Sequence, residues 1–283
     1  MYGGLAYVHF SYANLGFDAD ENWKKAYEYV EKTFELDPKS PEGHLVLGLL
    51  YGTHEGKIKE SIQQLNQVLA LRPNDFDALF WLGIFYPATG NSDASRLNSS
   101  RLTKIDPLSA SSQCIASLNW SYQGRFDLAL DPVRKSYEME PESSAWRTIL
   151  AIALVNSQLP EEALELIDKT VKPNSYDAFD LILNGFRFAI KKDKAGLQKL
   201  ISNLSANVTL KNDWQCSHWI SEACALAGMD SEALFWLENS VNRGFINYPY
   251  LSKHNPAFKN LRNDIRFQKL MERVKKEWES FEE

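Results

Sequence analysis

Five short phrases set the period of this chain: Leu36-Asp37-Pro38, Leu71-Arg72-Pro73, Ile105-Asp106-Pro107, Met139-Glu140-Pro141 and Val171-Lys172-Pro173. Proline to proline, the steps are 35, 34, 34 and 32 residues. Each phrase closes a run with the apolar spacing of an amphipathic helix. Proline stops such a helix and pushes the residue before it into an extended conformation. A hairpin of about 34 residues cannot bury its own apolar stripe, so neighbouring hairpins must stack. The expected fold is all-α: a right-handed superhelix, or solenoid, of about seven stacked helix-turn-helix hairpins closed by a C-terminal capping helix.

Each unit reads as a first helix followed by a second. In the first copy these fall near Gly3–Leu15 and Trp23–Leu36, with the acidic stretch Asp18–Asn22 expected as a surface insertion that caps the second helix. Small residues at Ala26, Gly48, Gly83, Ala129 and Ala163 mark close approach of helix backbones, with larger side chains filling the grooves beside them. After Pro173 the pattern weakens. Ser175–Ile190 and Lys194–Leu204 read as a degenerate sixth hairpin, with Lys191–Lys194 a solvated turn. Trp214–Ala227 and Ser231–Asn242 read as a seventh. The repeat region is expected to span 1–246, and 247–283 to be a turn-rich segment and a final helix. Asp264 would cap that helix, and Phe267, Leu270, Met271, Val274, Trp278 and Phe281 form its apolar stripe.

The third copy, Phe76–Pro107, carries Leu82-Gly83, Tyr86, Gly90, Leu102 and Pro107. The fourth carries Gly124, Phe126, Ala129 and Pro141. These positions resemble the tetratricopeptide repeat family over roughly Leu5–Pro173. The first large position of the family is loosely met, by His44 and Leu79. The phrases Asn255-Pro256-Ala257-Phe258, Leu261-Arg262, Arg266-Phe267 and Leu270-Met271 resemble tails that follow such repeats in bacterial multidomain regulators. That resemblance implies the regulatory part of a larger signalling protein.

Composition narrows the function classes. The formal charge is −6 with no block of Lys or Arg. A nucleic-acid surface needs a concentrated basic patch, so no nucleic-acid partner is expected. Cys114, Cys216 and Cys224 have neither disulfide nor metal-site spacing. The N-terminus lacks the basic start of a secretion signal, and no apolar run is long enough to span a membrane. A cytoplasmic location and no membrane partner are therefore expected. No phosphate loop, nucleophile elbow or paired-histidine zinc motif is present. No catalytic residue, metal or cofactor is assigned, and the chain is expected not to be an enzyme. His218 and Glu222, one helical turn apart, are the one polar pair on an expected inner face. They read as a hydrogen-bonded structural pair or a polar ligand contact.

Projecting the first helices at 100° per residue gives the wall expected to face inward. It carries Phe10, Leu45, Leu49, Phe80, Ile84, Leu118, Ile152, Ile182, Phe186, His218 and Glu222, with Trp81 and Trp219 toward its lip. Relatives that grip the acidic C-terminal tails of chaperones use cations on such a wall; here those positions hold none. A largely apolar groove would take a peptide or partner helix, making the chain a non-enzymatic protein–protein interaction module of unknown partner and oligomeric state. Two alternatives stand beside it. Tight superhelical winding could bury the wall against itself, or a closed cavity near Phe80, Ile84 and Leu118 could sense a small molecule by a change of superhelix pitch.

Overall fold

A computed structural model describes residues 1–171, 175, 177–204 and 208–281. Among the described residues there are sixteen α-helices and no strand. Six hairpins come first: α1 (Tyr2–Asn14) with α2 (Ala19–Leu36), α3 (Pro41–Leu49) with α4 (Ile58–Leu71), α5 (Phe76–Thr89) with α6 (Ser92–Ile105), α7 (Ala110–Ser121) with α8 (Phe126–Met139), α9 (Ser144–Asn156) with α10 (Pro160–Thr170), and α11 (Ala178–Ile190) with α12 (Lys194–Leu204). The short α13 (Val208–Asn212) leads into the seventh, α14 (Trp214–Ala227) with α15 (Asp230–Asn242), and α16 (Ile265–Glu279) is last. Each second helix from α2 to α10 packs on the first helix of the following hairpin. The first helices also stack in series from α1 through α3, α5, α7, α9 and α11 to α14. The result is an all-α superhelical stack.

The proline phrases act as expected at four of their five sites. Helices α2, α4, α6 and α8 end at Leu36, Leu71, Ile105 and Met139. The next residue leaves helical geometry each time, at φ −146° for Asp37, which is extended, −131° for Arg72, −142° for Asp106 and −135° for Glu140. Lys172 and Pro173 of the fifth phrase lie outside the described residues. A second ruler runs through the caps and outlasts the prolines. Ser40, Asp75, Ser109, Ser143, Asp177 and Asp213 each accept a first-turn backbone N–H with the side chain. Their positions advance by 35, 34, 34, 34 and 36 residues. The repeat therefore persists to the seventh hairpin, although the proline pattern lapses.

Several local expectations need correction. The stretch 18–22 is no insertion: α2 begins at Ala19, and the turn before it is residues 15–18, with Gly16 at φ 84° and Asp18 at φ 38°. Asp20 and Glu21 then fall in the first helical turn, where the helix dipole favours negative charge. Helix α11 begins at Ala178, not Ser175. The turn at Lys191–Lys194 is not merely solvated. Lys192 and Lys194 donate to the carbonyls of Leu226 and Gly228, at the open C-terminal end of α14. Gly83 gives room to the next hairpin rather than to its own partner helix, since a Cβ there would lie 2.4 Å from Ile115 Cγ2. A buried ion pair, Arg147 to Asp180 at 2.6 Å, also bolts α9 to α11.

The C-terminal segment makes the largest addition. Residues 243–258 run back across the edge of the stack where hairpins two, three and four make their turns. Arg243 Nη1 donates to the carbonyl of His54 at 3.1 Å. The Ile246 amide donates to Ala88 O at 3.0 Å. Asn247 Nδ2 donates to Pro87 O at 2.8 Å and Tyr122 O at 3.3 Å, and its Oδ1 accepts the Tyr250 amide at 3.0 Å. Phe245, Tyr250, Leu251 and Phe258 of this strap are buried, worth about 1.5–3 kcal/mol apiece in apolar burial. Helix α16 packs on α15 through its buried Phe267, Leu270, Met271 and Val274. Its Trp278 also reaches the turn at Gly90 and the ring of Tyr248, 5.9 Å away. It thus covers the strap as well as the last hairpin. Asp264 caps it, accepting the Arg266 amide at 2.8 Å.

The strap explains why glycine holds certain turns. Gly56 and Gly228 both sit at left-handed φ, 71° and 69°. A Cβ on Gly56 would lie 2.9 Å from the Arg243 Cα, which is backbone, whereas at Gly228 the nearest atom is the side-chain Lys194 Nζ at 3.4 Å, an ordinary contact. Gly228→Ala is therefore expected to cost only the left-handed penalty of about 1–2 kcal/mol. Gly56→Ala should cost about 1–3 kcal/mol more for overpacking against the strap. Urea denaturation of the two variants checks this; equal losses would contradict it.

Candidate functional site

Superhelical winding brings the first helices of several hairpins around one interior. A cavity of about 180 Å³ lies there, lined by Phe80, Trp81, Ile84 and Phe85 of α5, Cys114, Ile115 and Leu118 of α7, Trp146 and Ile149 of α9, Phe179 of α11, and Trp214 and Trp219 of α14. A cleft of about 620 Å³ adjoins it and shares Asn14, Thr53, Phe179 and Asp213 as common wall. The cleft's own walls include Asp20 and Trp23 of α2, Asp177 before α11, and Asn212 at the end of α13. Thr53 and His54 enter on a π-helical turn, 50–55, that prolongs α3. Such turns interrupt the regular ladder and re-aim side chains.

The rings are braced by one another. Trp81 stacks on Phe85 at 5.9 Å and meets the edges of Phe10 at 5.9 Å and Phe80 at 5.7 Å. His54 lies flat on Trp23 at 4.5 Å. Burial lowers the His54 pKa and so favours its neutral form. Asp213 Oδ1 accepts the Cys216 amide at 2.7 Å as the cap of α14. Burial raises the Asp213 pKa above the usual carboxylate range. Asp177 Oδ1 accepts the amides of Phe179 and Asp180, and its Oδ2 accepts the Ser144 hydroxyl. The thiols of Cys114, Cys216 and Cys224 are all pushed up by burial, which makes them poor nucleophiles. Among the described residues no group of three His, Cys, Asp or Glu side chains is placed to hold a metal ion. No helix among them is long and apolar enough to cross a membrane.

Of the residues expected on the inner wall, Phe80, Trp81, Ile84 and Leu118 line the cavity together. Trp219, expected at the lip, joins them. The others are placed differently. Phe10 lies behind Trp81 and is buried, and Leu45 is partly buried against the core. Leu49, Ile152, Ile182 and Phe186 are buried within the core. Close winding packs most of these side chains into the core, and what remains on this wall is the cavity and its adjoining cleft. His218 and Glu222 are also sealed, at 0% and 1% side-chain exposure. His218 Nε2 is 3.2 Å from Glu222 Oε1, although the angle leaves the ring nitrogen without a hydrogen bond. Glu222 Oε1 instead accepts from the Tyr250 hydroxyl and the Asn255 amide. The polar contact expected for a ligand is made to the strap.

Sequence reasoning missed Trp146, Phe179, Trp214 and Asp213. A signal was present. Trp146, Phe179 and Trp214 occupy the first turns of α9, α11 and α14 at steps of 33 and 35 residues. The repeat spacing therefore puts an aromatic ring at the same corner of three successive first helices.

Raising Asp213 above its unfolded pKa means that its ionised form opposes folding. That cost is absent at pH values below the unfolded carboxylate range, near pH 4, and grows as pH rises through the folded pKa. Asparagine keeps the cap and carries no charge. Asp213→Asn should therefore gain stability relative to the unaltered chain as pH rises from 4 to 8, measured by urea denaturation across that range. A difference that does not change with pH would contradict this.

A family model described as TPR repeat matches residues 53–90, and one described as tetratricopeptide repeat matches 121–178. No curated protein matches the sequence. Among solved structures, the chain is similar to PilF of Pseudomonas aeruginosa, with a TM-score of 0.50 and 16% identity over 73% of this chain and 93% of that one. It is also similar to PilW, a type IV pilus biogenesis factor, with a TM-score of 0.53 and 17% identity over 71% and 93%. At these identities the likeness is one of fold.

Proposed function

From the premise that this is a tetratricopeptide-repeat chain, and so a protein–protein interaction scaffold, we propose that the cavity and its adjoining cleft hold a segment of a partner protein. The observation that carries this reading is the pairing of a small aromatic pocket with a longer cleft on one wall. The inner space, about 180 Å³, is below the roughly 300–1,000 Å³ of ordinary small-molecule sites. It suits one large side chain, and the cleft gives the flanking residues of a peptide somewhere to lie. Buried anchors of this kind dominate interface energetics. Phe80, Trp81 and Ile84 supply the apolar contact in this reading, with Trp146 and Phe179 at the opening.

A second reading has a small molecule in the same cavity changing the superhelix pitch. The enclosed position of Phe80, Ile84 and Leu118 favours it. The strap weighs against it, because a change of pitch would have to break the bonds that Asn247 makes to two hairpins at once. A regulatory role within a larger signalling protein rests on the resemblance of the tail. The buried Asn255, Phe258, Phe267 and Met271 give that pattern a structural purpose as well.

Phe80→Glu places a charge in the pocket, while Phe235→Glu alters an exposed ring on the outside of α15. Both should keep their helical content. Affinity capture with quantitative mass spectrometry is expected to show the same partners for the unaltered chain and Phe235→Glu. Those partners should fall about tenfold or more for Phe80→Glu, the loss of one central anchor. An unchanged partner set for Phe80→Glu would overturn the reading.

A further inference from the structure

The charge around this site is one-sided. Cavity and cleft together are walled by three carboxylates, Asp20, Asp177 and Asp213, and among their described lining residues by no lysine or arginine. Asp177 and Asp213 are held in place by helix-cap hydrogen bonds, so their carboxyl groups are positioned before anything binds. Arg243 lies outside this lining; its guanidinium donates to the neutral His54 carbonyl and Asn212 Oδ1 and keeps its charge, which offsets part of the negative charge at Asp213. The walls beside these acids are partly exposed aromatic rings, Phe80, Trp81, Trp146 and Phe179. Ring faces attract cations, most strongly indole and most of all where water is excluded. An apolar side chain would strip water from these carboxylates and add no charge or hydrogen bond in its place, at a desolvation cost. A cation with an apolar stem satisfies both kinds of wall.

We propose that the partner segment is basic and that the side chain entering the cavity is an arginine. This rests on the reading of cavity and cleft as the docking site. The guanidinium is flat, weakly hydrated and able to lie on an indole face while its fork of N–H groups meets a carboxylate. Asp213, shared by both spaces, is the carboxylate at that junction. The methylene stem of the arginine packs along Ile84 and Phe80. Neighbouring basic residues of the segment lie in the cleft against Asp20 and Asp177. Lysine is the poorer fit, because its compact ammonium holds its water more tightly.

The test uses the whole chain, labelled with nitrogen-15, and capped pentapeptides Gly-Gly-Xaa-Gly-Gly in which Xaa is arginine, lysine, leucine or phenylalanine. Of the eight tryptophan indoles, those of Trp81, Trp146, Trp214 and Trp219 report on the cavity. The arginine peptide should shift these four and bind about tenfold more tightly than the leucine and phenylalanine peptides. Added salt and Asp213→Asn should each weaken it several-fold, with the helical content of the variant unchanged. Lysine binding as tightly as arginine overturns the arginine assignment. Leucine or phenylalanine binding as tightly, or no effect of Asp213→Asn, overturns the cationic ligand and leaves an apolar anchor in its place. If no peptide moves these indoles, both this inference and the docking site it rests on fail.

Discussion

An α-helix ends with carbonyls that have no partner inside it. In this chain the first helices of hairpins two, three and four end along the same edge, and the strap supplies their donors: the Arg243 guanidinium to His54 O, the Ile246 amide to Ala88 O, and the Asn247 amide to Pro87 O and Tyr122 O. Each such bond is worth about 1 kcal/mol net, and each buried group left unpaired costs about 1–3 kcal/mol. A positive charge at a helix C-terminus adds a favourable dipole term, which Arg243 provides. Superhelical stacks are held by nearest-neighbour contacts. These bonds join residues up to 189 positions apart and tie the last hairpin to the second.

The shape of the candidate site follows from that closure. With the strap in place, the inner wall near α14 is filled by Phe245, which stacks on Trp214 at 5.0 Å, and by Tyr250, which meets Tyr122 at 5.0 Å. His218 and Glu222 face the strap rather than an open groove. What stays open is the corner where α5, α7, α9 and α14 converge without a strap residue between them. The ring-lined cavity and the acidic cleft are the part of the concave face that the chain leaves unfilled by its own tail.

Much of the fold was legible in the sequence because its causes are local. Proline after each second helix fixes four helix ends, and the apolar period locates the hairpins. The final helix was readable from Asp264 and its stripe. The sixth hairpin was faint in the prolines but plain in the caps, where Asp177 and Asp213 continue the spacing of Ser40, Asp75, Ser109 and Ser143. The pocket was half legible: projection around a helix axis finds Phe80, Trp81, Ile84 and Leu118, but says nothing of how tightly the superhelix winds. Leu49, Ile152 and Phe186 were therefore placed on a surface when they lie in the core. The strap was the hardest part to read. Asn247 and Asn255 bond to residues far away in the chain, so no local pattern announces them. The glycines at 56, 90 and 124, which meet Arg243, Trp278 and His254, are the trace of this packing; in the sequence Gly90 and Gly124 read only as positions of the repeat family.

The central claim is that the strap fastens the superhelix rather than hanging from it, and amide hydrogen exchange on Asn247→Ala tests it most directly. If the strap is a fastener, protection should fall together in residues 244–258, in the turn at 88–92, around Tyr122 and in the π-helical turn at 50–55. Residues 145–170 should be unchanged. Faster exchange confined to 244–258, with the three hairpin turns as protected as before, would contradict it.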